Sequence, residues 1–228
     1  MSDAGAVPEF IWRTTNDVDT AHALHLASLS TEPPLKVRSD GRAHFEMHMG
    51  EGGWAIACFL ASGPMVAYGL LALQLPSVAL MAGILGSDAS KLCTIDGMAV
   101  HPDWRGRRLH EVAIDRRLRH AASLGRTAAA ATVAPWNVHS LRGMLRVGFE
   151  VRRLAFLYGG QPRFLVHRAI ADGLPVPQAP PRHTTLSLPV ADVPGHQAAL
   201  ADGLVGHGCH QDPQGDWFVD YGPPAMSC

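Results

Sequence analysis

The chain has 228 residues, of which 47% are hydrophobic and 17% charged, with a formal net charge of −1. That is a globular composition with room for one large domain and an appendage, and it excludes a disordered chain. A near-neutral total also excludes the broadly basic surface that non-specific nucleic-acid binding needs, so no nucleic-acid partner is expected.

The elements follow in chain order. Glu9–Thr15 reads as a first strand, and Asn16 or Asp17 can cap a helix running to about Leu29. Thr31–Pro34 is a loop, and Ser39-Asp40 can start a short helix through His48. On a helix His44 and His48 share a face while Glu46 points elsewhere. Their spacing is not H-E-x-x-H, and no metal site is expected. From Gly52 to Ser87 there is no charged residue, a run long enough to span a bilayer. Ser62-Gly63-Pro64 divides it into strands Trp54–Ala61 and Met65–Leu75, and a hairpin buried on both faces accounts for the composition. No membrane partner is expected. Pro76–Lys91 shows no clear pattern.

Cys93–Val100 is a strand ended by Pro102. A helix follows from about Arg107 to Leu124, its apolar face formed by Leu109, Val112, Ala113, Leu118, Ala121 and Ala122, with Gly125 suited to a left-handed cap. Ala128–Ala134 is a strand, Asn137–Val147 a helix closed by Gly148, and Val151–Tyr158 and Arg163–Ala169 the last strand pair. The expectation is an α/β domain over residues 1–170, a mixed sheet flanked by helices.

Pro175, Pro177, Pro180 and Pro181 make 171–183 a stiff linker. Beyond it, 184–228 is an acidic extension with a strand Thr184–Val190, a helix Pro194–Val205 and a strand Asp216–Tyr221. His207, Cys209 and His210 read as a polar surface turn. The extension is expected to cover a sheet edge; completing a homodimer and closing a substrate pocket are the alternatives. Cys58 and Cys93 lie in apolar runs and are expected to be buried reduced thiols. Together with an N-terminus lacking a signal-peptide pattern, they point to the cytoplasm.

Charge is unevenly placed. Between His101 and Arg126 stand seven arginines against Asp103, Glu111 and Asp115. Within this stretch Ile95–His110 combines a strand end, a proline and an Arg/Gly-rich turn opening a long helix. A helix start presents unpaired N–H groups and the positive end of the macrodipole, an anion site to which Arg105, Arg107 and Arg108 add charge. On charge alone, a solvated basic helix start would look the same.

Val-His-Pro-Asp-Trp-Arg-Gly-Arg-Arg-Leu-His, at 100–110, followed by an amphipathic helix, resembles the acyl-CoA-binding motif of the GNAT superfamily. Asn137-x-x-Ser140 and Gly148-Phe149 match that superfamily's next helix, and the strand order is also similar. The resemblance implies a mixed GNAT-type sheet and transfer of an acyl group, acetyl in the first instance, from acetyl-CoA or another acyl-CoA to an amine. It implies that backbone at Met98, Ala99 and Val100 bonds the pantetheine arm, with Gly97 suited to a bulge there. Amides from Arg105, Gly106, Arg107, Arg108, Leu109 and His110 would hold the pyrophosphate, and Asn137 and Ser140 would line the thioester end. The acceptor would be a small-molecule or peptide primary amine.

Two positions depart from the pattern. Arg108 and His110 occupy places where the motif has small residues, and a left-handed conformation at a non-glycine costs on the order of 1–2 kcal/mol. Met144 stands where many relatives carry a proton-donating tyrosine. Asp96, taken to share strand parity with Met98 and Val100, is the candidate base, and Tyr158 a weaker candidate acid. A catalytically silent acyl-CoA-binding regulatory module is the alternative.

Overall fold

A computed structural model describes residues 9–29, 39–61, 63–170 and 183–225. The Thr31–Pro34 loop, all of the proline-rich linker but His183, and Cys228 lie outside the described residues. The chain opens with β1 (Phe10–Thr14), α1 (Val18–Leu29), α2 (Arg42–Met49), β2 (Gly53–Leu60) and β3 (Met65–Ala72). Asp17 caps α1, accepting the Thr20 amide at 3.0 Å and the Thr20 hydroxyl at 2.6 Å. The second helix starts later than its sequence suggests. Its cap is Gly41, without a side-chain bond, and Asp40 instead gives its amide to His25 Nε2 at 3.0 Å.

The uncharged run does form a central hairpin, and every residue of β3 is buried. Among the described residues no helix is long and apolar enough to cross a membrane. The patternless segment contains a helix, α3 (Pro76–Leu85), which shortens the preceding strand to end at Ala72. Pro76 stands in its first turn, where the missing N–H costs nothing, and Gly86 closes it at φ 65. Its apolar residues encircle the axis: Val78, Met81 and Ala82 are buried while Leu80 is exposed, so no helical stripe is visible.

Next come β4 (Leu92–Val100), a 3-10 turn (Pro102–Trp104), α4 (Leu109–Ser123), β5 (Ala128–Val133), α5 (Val138–Arg146), β6 (Glu150–Leu157) and β7 (Gln161–Ala169). The buried side of α4 carries Leu109, Ala113, Ile114, Arg117, Leu118 and Ala121. Val112, read as part of that side, is exposed. The extension adds β8 (Leu186–Pro189), α6 (Val193–Ala201), β9 (Val205–Gln211) and β10 (Trp217–Gly222). His207, Cys209 and His210 therefore lie on a strand, not a turn, and His210 Nδ1 meets Asp220 Oδ2 at 3.0 Å.

The ten strands form one sheet in the order β1-β2-β3-β4-β5-β7-β6-β9-β10-β8. Tyr68, Leu70 and Ala72 of β3 meet α1, α2 and α3 on one side, and Leu71 meets the α4 and α5 layer on the other. Every pairing is antiparallel except that of β4 with β5, which holds only from Leu92↔Ala128 to Thr94↔Ala130. Past that point the two strands part. The extension joins at the β6 edge through Val151↔Gly206, and Val219 and Tyr221 share the main core with Phe149 and Val151.

Candidate active site

The turn between β4 and α4 has the geometry of an anion cradle. Gly106 takes φ 77, and a side chain there would meet nothing within 4 Å, so the backbone is open to a ligand. Arg108 caps α4 in the left-handed region at φ 59, the conformation that glycine adopts most cheaply. Its guanidinium turns to Glu111, bonding Oε2 at 2.7 Å through Nε. Arg107 lies 5.0 Å over the Trp104 ring, and Arg105 donates to the Val100 and Ser28 carbonyls, both at 3.4 Å. The first amides of α4 have no helical carbonyl to bond. His110 points inward instead. Its Nδ1 is buried without a hydrogen-bond partner among the described residues, and burial with nearby Arg117 lowers it to about 4. Gly143 of α5 makes room for that ring; a Cβ there would sit 2.6 Å from Nδ1.

Beside this turn β4 bulges. Gly69 pairs with Met98 and Leu71 with Ile95, so Leu70 alone opposes Asp96 and Gly97. A bulge resets the alternation of side chains. Asp96 consequently faces α2 and α3 while Met98 reaches α4, so the expected shared parity of these two residues does not hold. Arg117 pins the distortion. Fully buried, it donates from Nη1 to Leu70 O at 2.9 Å and Asp96 O at 3.1 Å, and from Nε to Ala113 O at 3.0 Å. Its Nη2 meets Met98 Sδ at 3.3 Å, and burial lowers the guanidinium to about 10. Gly69 leaves space for it, since a Cβ would lie 2.9 Å from Arg117 Nε.

A cavity of about 530 Å³ opens where β4 and β5 separate. Asp96 sits in its wall. Oδ2 accepts His48 Nε2 at 2.7 Å and the Ser77 and Thr94 hydroxyls at 3.1 Å each. His48 Nδ1 lies 2.8 Å from the His44 carbonyl, which can only accept, so that nitrogen carries a proton. The short Nε2–Oδ2 contact then needs a second proton between the rings and carboxylate. The Ser77 and Thr94 hydroxyls also reach Oδ2, so three side chains gather on that one oxygen. Burial alone would raise the Asp96 carboxyl; the His48, Thr94 and Ser77 contacts hold it below the ordinary carboxylate range.

The same cavity is lined by Met98, His110, Asn137, Ser140 and Tyr158, bringing five of the sequence-derived candidates together with Asp96. Asn137 caps α5, its side chain accepting the Ser140 amide at 3.4 Å. Tyr158 begins the β6–β7 turn at φ 52, with its hydroxyl 3.3 Å from Thr132 Oγ1. Ala99, Val100, Arg105, Gly106, Arg107, Arg108 and Leu109 lie outside the cavity wall, along the strand end and the anion turn. The sequence reading missed His48 and Ser77 as partners of Asp96, and Arg117 altogether. The signal for Arg117 was its place four residues after Ala113 and four before Ala121, on the buried stripe of α4. His44 and His48 share a helical face as expected, their rings 4.2 Å apart, while Glu46 pairs with Arg42 at 2.9 Å. Among the described residues no three His, Cys, Asp or Glu side chains gather as a metal site.

The sequence matches no protein-family model and no curated protein. Solved structures resemble the fold strongly. A GNAT superfamily phosphinothricin acetyltransferase from Sinorhizobium meliloti, in complex with AcCoA, aligns at 15% identity and TM-score 0.55, over 72% of this chain and 90% of that one. Arabidopsis thaliana NAA60 in complex with acetyl-CoA aligns at 16% identity and TM-score 0.55, over 71% and 99% of the two chains. The ribosomal-protein-S18-alanine N-acetyltransferase from Escherichia coli aligns at 15% identity and TM-score 0.51, over 74% and 99%. In its architecture this chain has the GNAT fold.

Proposed function

We propose that the protein transfers an acyl group, acetyl in the first instance, from acyl-CoA to a primary amine. The observation that carries this reading is the parting of β4 and β5 after Thr94↔Ala130, beside a glycine-opened, arginine-rich helix start. The parted strands offer backbone to an extended arm, and the turn offers amides and positive charge to a diphosphate. Met98, Ala99 and Val100 would face the arm, Arg105–His110 the diphosphate, and Asn137 and Ser140 the thioester.

The amine nitrogen attacks the thioester carbonyl carbon. A C–N bond replaces the C–S bond, nitrogen gives up a proton and the departing thiolate takes one. Asp96 is suited to accept a hydrogen bond from the nitrogen. Because His48 keeps it ionised, it is a weak base, and positioning must supply most of the acceleration. Tyr158 is the candidate proton donor, because Met144, buried in the wall, has no proton to give.

The test is release of free CoA thiol from acetyl-CoA across a panel of amines, alongside calorimetry of acetyl-CoA binding. Turnover with at least one amine is expected. The rival reading, a silent acyl-CoA-binding regulatory module, draws on Arg108, His110 and Met144, and it would prevail if acetyl-CoA bound tightly and stayed intact over hours. The buried free thiols of Cys58 and Cys93 also favour a cytoplasmic enzyme, checked by fractionating cells that express the tagged chain.

A further inference from the structure

The cavity wall divides by chemistry. At its mouth stand Met47 of α2 and Leu80 of α3, 48% and 49% exposed, and Tyr158 of the β6–β7 turn, 43% exposed. Leu75 and Ile95 continue the apolar wall inward. Large apolar side chains left open around one concave mouth mark a surface kept for an apolar ligand. Deeper in, the charged groups are engaged with the protein. Arg117 donates to three carbonyls and the Met98 sulfur. Arg163 donates to Gln161 Oε1 at 2.6 Å and lies 5.7 Å from the Tyr158 ring. Asp40 stands 3.8 Å from His44, and His48 is bonded to Asp96. All three side-chain donors that reach the Asp96 carboxylate go to Oδ2. Oδ1 therefore remains as an acceptor in the cavity wall.

Building on the acyl-transfer reading, we propose the acceptor's class: a primary amine on an apolar body. Its nitrogen is received by Asp96 Oδ1 and its body lies along Met47, Leu80 and Tyr158. A primary amine without an apolar body to cover that mouth is therefore a poor substrate compared with one that has it.

The experiment compares phenethylamine with ethanolamine, which share a primary amine on a two-carbon arm and differ in the apolar body, using acetyl-CoA as donor and the full chain. Phenethylamine is expected to have at least tenfold higher kcat/KM. Asp96→Asn should raise its KM about tenfold while leaving the Kd for acetyl-CoA unchanged by calorimetry. Leu80→Asp, a change at an exposed position that leaves the fold intact, should raise the phenethylamine KM severalfold and keeps the test decisive if the Asp96 variant does not fold. Equal or better turnover of ethanolamine would overturn the proposal, as would turnover of neither compound by a protein that binds acetyl-CoA. Failure to bind acetyl-CoA at all would instead bring down the underlying acyl-transfer reading.

Discussion

His110 and Gly143 make one packing unit, in which the ring fills a space that any larger residue on α5 would occupy. Gly143→Ala brings a methyl to 2.6 Å from Nδ1 and should cost about 1–3 kcal/mol. The double variant with His110→Ala should recover most of that loss in urea melts; a Gly143→Ala protein of unchanged stability would refute the coupling. Titration adds a second check. Burial holds His110 at about 4 against an ordinary 6.5, so the unfolded chain takes up a proton first as pH falls. Stability should be full above pH 6.5 and decline toward pH 4, and His110→Gln should flatten this decline in thermal melts across the window. Asp96 acts lower in the range. Its folded-state pKa lies below the ordinary 3.8, so its contribution is present above that pH and is lost as the medium becomes more acid. Arg108 offers a simpler test. At φ 59 a glycine is unstrained, so Arg108→Gly should gain roughly 0.5–1 kcal/mol in denaturant melts, less whatever the exposed Glu111 pair contributes. The same change should weaken acetyl-CoA binding severalfold if the side chain swings to phosphate.

At the scale of elements, the site depends on a strand bent by one extra residue and held by a buried arginine. Arg117→Met keeps most of the volume but leaves the Leu70 and Asp96 carbonyls without their donor, which should cost roughly 2–4 kcal/mol. Gly69→Ala should act in the same direction by pushing against the guanidinium. Chemical denaturation measures both, and a stable Arg117→Met protein would show that the bulge holds itself. This arrangement was only partly legible in the sequence. Gly97 suggested the bulge, and the α4 turn was readable because glycine, proline and clustered charge act locally. Which way Asp96 points was not readable, because the bulge reverses the alternation that strand parity assumes. Arg117 was hidden among seven arginines that looked like one solvated cluster. Helix α3 escaped because its exposed side, with Ala79, Leu80 and Gly83, is no more polar than the buried Val78, Met81 and Ala82, so no stripe marks it as amphipathic.

For the whole molecule, the extension is part of the sheet and not a tail. Gly206 allows β9 to approach β6; a Cβ there would lie 2.9 Å from Val151 Cβ. Gly206→Val should loosen the junction and speed limited proteolysis within 184–225, compared with the wild-type chain. Cleavage at an unchanged rate would count against a close junction. The extension's secondary structure was harder to read than the first 170 residues, because its glycine-rich β9, Val-Gly-His-Gly-Cys-His-Gln, has the composition of a turn. Its place in the sheet has a further consequence for how the protein is made. Synthesis runs from the N-terminus, so the β6 edge around Val151 must wait uncovered until β9 has left the ribosome. The nascent chain thus passes through a stage in which its own last strands compete with other chains for the same edge, and slow translation of the final segment should favour aggregation over closure.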